Sequence, residues 1–136
     1  MKTIKTNVSI FIFNSKNKLL LESVKLSQNM FVWKTLGGSI KFGESVEESA
    51  SRIFNQTIGV KINSEKIRVL GFTNDVFSDE GKHHLTIHCR IDISNDKLLE
   101  PLLKKNKKWG VYDVGFLPSN LFLPVQNFFK TKQRLG

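Results

Sequence analysis

Residues 37–60 read Gly37-Gly38-Ser39-Ile40-Lys41-Phe42-Gly43-Glu44-Ser45-Val46-Glu47-Glu48-Ser49-Ala50-Ser51-Arg52-Ile53-Phe54-Asn55-Gln56-Thr57-Ile58-Gly59-Val60. Two glycines open the stretch, Gly43 interrupts it again, and a helical pattern follows. Ser45 is a good N-cap, and Glu48 three residues on completes a capping box. The hydroxyl of one and the carboxylate of the other each accept from a backbone N–H that the first turn leaves unpaired. Val46, Ala50, Ile53 and Phe54 recur at helical spacing and form one apolar stripe. The helix is expected over residues 45–57, stopping near Gly59, a natural C-cap.

The flanks supply the sheet. Residues 5–14 carry Val, Ile and Phe on both faces, the pattern of a central strand buried from both sides. Asn14-Ser15-Lys16-Asn17 is a turn signal, and residues 18–24 read as the returning strand. Residues 29–36 form a third strand, broken by Gly37-Gly38. Residues 66–77 and 83–93 are two further strands around a polar loop, 78–82, and 109–116 is another. Leu117-Pro118-Ser119-Asn120 introduces a last amphipathic helix, over 120–130, with Phe122, Val125, Phe128 and Phe129 on its apolar side. Strands, helix, strands, helix makes an α+β fold, an α/β/α sandwich around a mixed β-sheet with the two helices on opposite sides.

Composition bounds the rest. The chain has 136 residues, 40% hydrophobic and 24% charged, with eleven Phe. That is room for a single domain, 1–136, with a proper core, and it excludes a disordered chain or a two-domain enzyme. The apolar run at 8–13, broken by Ser9, is too short to span a bilayer, so no membrane role is expected. Cys89 is the lone cysteine. No internal disulfide can form, and a reducing compartment, the cytoplasm, is expected. Twenty-one Lys and Arg against twelve Asp and Glu leave a net charge of +9. This favours polyanionic partners such as nucleotides, RNA or anionic headgroups without choosing among them, and a solvated lysine-rich surface explains it equally well. The run Lys104-Lys105-Asn106-Lys107-Lys108 reads most simply as a solvated loop.

The spacing Gly38-x5-Glu44-x7-Arg52, ending in Gly59-Val60, resembles the Nudix box of the Nudix hydrolases. The flanks agree. Trp33 with Gly37-Gly38 looks like that family's entry strand. Residues 73–77 and 81–87 resemble the strand–loop–strand after the box in its small nucleotide-cleaving members, and Glu100-Pro101, Trp109 and residues 117–124 resemble their C-terminal segment. The resemblance implies the family's sandwich fold and a cleft for a nucleoside di- or triphosphate or a sugar nucleotide. It also implies a scaffold role for Gly37, Gly38, Glu44, Arg52 and Gly59, with Glu44 and Arg52 paired to tie loop to helix.

Departures fall at the metal positions. After its arginine the family carries Arg-Glu-x-x-Glu-Glu, whose glutamates hold Mg²⁺ or Mn²⁺. Carboxylates at i, i+3 and i+4 share one helix face and converge on a hard cation. Here those positions are Ile53, Gln56 and Thr57, none ionisable, so no metal is expected by the usual ligands, and Mg²⁺ or Mn²⁺ enters only if the protein is active. Leu36 replaces the usual proline before the glycines, and Lys41 stands where an acid is common. The branch resembling GDP-mannose mannosyl hydrolase also has an aliphatic residue after the arginine and uses a histidine base, but it retains the last glutamate, here Thr57. Candidates for a relocated site are His83, Glu48, Asp79 and Glu80, with His84, Glu47 and Asp75 nearby. His84 and His88 share a strand face about 13 Å apart at ~3.3 Å per residue, too far for one zinc ion. Cys89 is best read as a small core residue.

Three functional readings follow. The first is a Nudix-like protein that binds a nucleoside di- or triphosphate or a sugar nucleotide, with ordinary Mg²⁺-dependent hydrolysis weak or lost. Phe31, Trp33 and Phe77 are its candidates for stacking on a base, against core packing for each. The second is an active nucleotide-sugar or nucleoside triphosphate hydrolase with a relocated metal or base. The third is a non-catalytic RNA-binding module, as known for Nudix domains that have lost box glutamates. The sequence leaves the oligomeric state open, a homodimer included.

Overall fold

A computed structural model of the chain describes residues 2–27, 29–105 and 108–136. Seven strands form one mixed sheet: β1 (Ile4–Phe13), β2 (Leu19–Ser27), β3 (Met30–Lys34), β4 (Leu36–Ser39), β5 (Arg68–Phe77), β6 (Lys82–Asp92) and β7 (Trp109–Tyr112). The order β3-β2-β1-β6-β5 makes the long path, with β4 pairing β1 and β7 pairing β2. Among the described strand pairs β1–β6 is parallel and the others are antiparallel. Helices α1 (Val46–Ile58), α2 (Glu100–Lys105) and α3 (Leu123–Lys130) complete the α+β fold.

β1 decides the layering. Its alternate side chains leave the sheet on opposite faces. Val8, Ile10 and Ile12 join Leu20, Leu36, Cys89 and Ile91 beneath Ala50, Ile53 and Phe54 of α1. Phe11 and Phe13 join Leu19 and Leu21 beneath Val125 and Phe128 of α3. Each large apolar side chain taken fully from water contributes about 1.5–3 kcal/mol. Two such layers on one strand explain why Val8 and residues 10–13 carry apolar side chains on both faces. Burial pushes the Cys89 thiol up to about 12 and leaves it unreactive.

The box helix forms as expected. Ser45 Oγ accepts from Glu48 N at 3.0 Å, and Glu48 Oε1 accepts from Ser45 N at 2.9 Å. Gly59 ends the helix at φ 85°, donating its N–H to Asn55 O at 2.9 Å.

Elsewhere the boundaries differ from expectation. Gly37-Gly38 does not break the chain; it lies inside β4, paired to Ser9 and Val8 of β1. A Cβ on Gly37 would stand 2.7 Å from the Val8 carbonyl oxygen, so the glycine permits the pairing. The strand expected over 29–36 is therefore two, divided at Thr35. The helix expected from 120 begins at Leu123, with Pro124 in its first turn. The chain before it is held on β3: Trp33 N donates to Asn120 O at 2.9 Å and Phe122 N to Trp33 O at 2.8 Å. β7 stops at Tyr112 because Asp113 caps a short 3-10 turn, accepting from Gly115 N at 2.9 Å. Residues 64–66 likewise form a 3-10 turn capped by Asn63 rather than the start of β5. Lys104 and Lys105 end α2 rather than lying in a loop, Asn106 and Lys107 fall outside the described residues, and Lys108 pairs with Glu22 at 2.9 Å. Among the described residues no helix is long and apolar enough to cross a membrane.

Candidate functional site

The loop from β4 into α1 is tied by one carboxylate. Arg52 Nε donates to Glu44 Oε2 at 2.8 Å and Nη2 to Oε1 at 3.0 Å. Arg52 Nη2 also reaches Ser39 O at 2.9 Å, while Glu44 Oε1 accepts from Ser49 Oγ at 2.7 Å and Lys41 N at 3.0 Å. The Arg52 hydrogen bond, then that of Ser49, holds the Glu44 carboxyl at about 2, and Glu44 in turn raises Arg52. These contacts bind the end of β4, the loop and the second helical turn into one unit.

The next helical positions diverge. Ile53 is 6% exposed and belongs to the core between α1 and the sheet. Gln56 is exposed and Thr57 half-buried. Gln56 borders an open groove with Glu44, Glu48 and Asn55. Glu44 is committed to Arg52, and Glu48 to the helix cap. Among the described residues no three His, Cys, Asp or Glu side chains converge as metal ligands would.

A separate cleft of about 310 Å³ lies on the α3 side of the sheet, against β4 and the approach to α3. Its floor follows from strand parity. Parallel pairing sets Lys5 beside His84, Asn7 beside Thr86 and Ser9 beside His88, so two polar stripes run side by side across the centre of the sheet. Asn7, His84 and Thr86 line the cleft, and Lys5, Lys34 and Lys82 surround it. No carboxylate is among its described lining residues. Asn7 Nδ2, 2.8 Å from His84 Nδ1, is the donor in that contact, so the neutral ring carries its proton on Nε2. Burial, then the charge of Lys5, lowers the His84 pKa, and burial lowers that of Lys34. Phe122 closes one wall with Lys34 Nζ 5.6 Å from its ring centroid, and Phe77 packs behind it at 5.6 Å.

Beside the floor, on the same face of the sheet and against α3, is a buried polar group. The Asp75 carboxyl, fully buried, accepts from the hydroxyls of Thr73 and Thr86 and from Asn127 Nδ2 at 2.9 Å. Since Thr73 spends its one proton on Asp75, its contact with His88 Nε2 at 2.8 Å requires His88 to donate. Nδ1 of His88 is then a bare acceptor, buried with no hydrogen-bond partner among the described residues. Burial lowers His88 to about 4.

The structure redistributes the sequence candidates. His83 leaves β6 on the face opposite the cleft, where it meets Asn74 Oδ1 at 3.2 Å. Asp79 and Glu80 are exposed in a 3-10 turn, and Glu80 lies 3.6 Å from Lys82. Glu48 is the reciprocal cap. None of these four lines the cleft, and the geometry does not bring them together. Phe31 is half-exposed on β3, and Trp33 packs on Tyr112 at 5.2 Å. Phe77 reaches the cleft only through His84 and Phe122. The cleft residues that sequence reasoning missed are Lys5, Asn7, Lys34, Lys82, Thr86 and Phe122. One signal was present: Lys5-x-Asn7-x-Ser9 and His84-x-Thr86-x-His88 set polar residues at alternate positions, on one face of each strand.

Comparison with known proteins identifies the family and the fold. The family model described as NUDIX domain matches residues 3–113, and the chain belongs to that family. Its fold is shared with a MutT NUDIX hydrolase from Burkholderia pseudomallei, at 17% identity and TM-score 0.72, covering 97% of this chain and 98% of that one. A MutT/nudix family protein from Enterococcus faecalis matches at 23% identity and TM-score 0.57, over 66% of this chain but only 37% of its own length. The NUDIX domain of Shewanella oneidensis NrtR, in a structure with ADP ribose, matches at 20% identity and TM-score 0.55, over 70% of this chain and 64% of that one.

Proposed function

We propose that this chain is a nucleotide-binding Nudix domain that takes a nucleoside di- or triphosphate or a sugar nucleotide in the Lys5–Lys34–Lys82 cleft, with Mg²⁺-dependent diphosphate hydrolysis weak or lost. The observation that carries the reading is the composition of that cleft: three lysines and no carboxylate among its described lining residues. A phosphate-bearing ligand meets positive charge there, while a hard cation finds no anionic oxygen. The family's three glutamate positions hold a buried hydrocarbon, an exposed amide and a half-buried hydroxyl. That set does not fit Mg²⁺ or Mn²⁺, and no catalytic step is derived through a metal. The ADP ribose bound by the NrtR domain supports a nucleotide-type ligand on the same fold.

A positioned divalent ion offsets developing phosphate charge and activates water, and each 1.36 kcal/mol of barrier is tenfold in rate. The residues present do not anchor such an ion, so binding outlives turnover. The test combines thermal shift against ADP, ADP-ribose, nucleoside triphosphates and sugar nucleotides with an assay of product release in Mg²⁺ and in Mn²⁺. A ligand at a hundredfold excess over its Kd stabilises the fold by about 2.7 kcal/mol. Stabilisation without turnover is expected. Robust turnover, abolished by EDTA and by replacing Asp79, Glu80 or His83, would overturn the reading in favour of a relocated site.

A further inference from the structure

We propose that the cleft binds the diphosphate group of its ligand directly through Lys5, Lys34 and Lys82, with the Nε2–H of His84 as a neutral donor, and that no divalent cation takes part. The inference rests on the nucleotide-binding reading and adds how the charge of the ligand is met.

Three independent observations converge. First, the lysines come from three separate strands, β1, β3 and β6, yet border one cavity. Second, their counter-ions are scarce. Among the described residues no carboxylate lies within ion-pair distance of Lys5 or Lys34, and Lys82 has only the exposed Glu80 at 3.6 Å. Glu22 lies opposite Lys34 across the β2–β3 pair and its charge partly offsets the burial of that ammonium, but its ion pair, at 2.9 Å, is with Lys108. Burial lowers the pKa of Lys34, so its charge is held at a cost that an arriving anion relieves. Third, Asn7 occupies Nδ1 of His84, which orders the ring and leaves Nε2–H free of any other described partner. A cavity of about 310 Å³ is at the small end for ligand sites. It suits a diphosphate with its adjoining sugar.

A cation chelated by the diphosphate removes the charge that the lysines would meet, and no carboxylate of the cleft holds the cation in exchange. Binding is therefore expected to be as tight in EDTA as in Mg²⁺, or tighter. Calorimetry with inorganic diphosphate and with ADP, each in EDTA and in Mg²⁺, tests this. Lys5→Met and Lys34→Met retain apolar stems and should each weaken binding roughly tenfold, the size of one lost charge-assisted hydrogen bond. Lys82→Met should weaken it less, since Glu80 already engages that ammonium. Lys16→Met removes the same charge in the turn at the far end of β1 and should leave affinity unchanged, with melting curves of each variant reporting its fold. Diphosphate binding in EDTA without ADP binding would support the lysine cradle and overturn the nucleotide reading. ADP binding only with Mg²⁺ would overturn the cradle and leave the nucleotide reading standing. Equal weakening by Lys16→Met, or no binding of either probe, would also overturn the cradle.

Discussion

Ile53 fills the space that Gly38 leaves open: a Cβ on Gly38 would stand 3.1 Å from Ile53 Cδ1. α1 is thereby seated on β4 through Ile53. A carboxylate there would enter the apolar layer of Val8, Leu36 and Cys89. Ile53→Glu is expected to destabilise the fold by about 2–5 kcal/mol, read as a lower urea midpoint. Gln56→Glu, on the exposed side of the same helix, should fall within about 0.5 kcal/mol of wild type. The triple change with Thr57→Glu should raise Mg²⁺ affinity only if it still folds. An Ile53→Glu protein as stable as wild type would show that position 53 accepts solvent.

Arg52→Ala removes both hydrogen bonds to Glu44 and the bond to Ser39 O. The melting temperature should drop by roughly 3–6 °C, as for the loss of a partly exposed interaction in a domain of this size. Glu44 is held at about 2 against an ordinary 4.5, so its folded pKa lies below its unfolded one. Its contribution is complete above pH 4.5 and is lost as pH falls toward 2. The gap between wild type and Arg52→Ala should accordingly narrow across that window in acid melts. A gap that is constant down to pH 2 would assign the effect to lost packing.

His88 titrates in the opposite sense to a stabilising histidine. Its folded pKa, about 4, lies below the ordinary 6.5, so the unfolded chain takes up the proton first. Stability should therefore decline as pH falls from 6.5 to about 4, by up to roughly 3 kcal/mol. Asp75 works against burial here and limits the shift. His88→Gln retains a donor for Thr73 but does not titrate. Urea midpoints of this variant should lose most of the slope between pH 6.5 and 4; an unchanged slope would place its origin in another group.

Gly37→Ala sets a methyl group 2.7 Å from the Val8 carbonyl oxygen, a backbone atom that β1 cannot move without disturbing β6. Destabilisation of about 1–3 kcal/mol is expected. Amide exchange in β4 should rise ahead of that in β2, since the clash lies in the β1–β4 pair. Uniform protection across both strands would place the strain elsewhere.

The box helix and its ties were legible in the chain because each is a local matter. A capping box needs two side chains three residues apart, a C-cap needs one glycine, and the Glu44–Arg52 pair spans one loop and two turns. The buried half of β1 was legible because residues 10–13, with core on both faces, are apolar at every position. Boundaries were less so. The glycines that look like a break pair inside β4 because β1 accepts a strand with no side chain at that point. Residues 117–122 look like a helix start because nothing local reveals that β3 takes their backbone.

The cleft is where local reasoning ends. Lys5 and His84 are 79 positions apart and become neighbours only through the parallel β1–β6 pairing. Strand parity alone sends His83 to one face and His84 to the other, and the choice of which face holds a cleft belongs to α3 and the approach to it. The sequence by itself determined the Nudix scaffold, the absence of carboxylates at positions 53, 56 and 57, and the charge of +9. Tertiary structure decided that Ile53 is core, that Asp75 is enclosed by Thr73, Thr86 and Asn127, and that three lysines from three strands border one cavity. The physical reason is range: hydrogen-bonded caps and amphipathic periods act over a few residues, whereas a binding surface in a mixed sheet is assembled from strands whose order the chain does not announce.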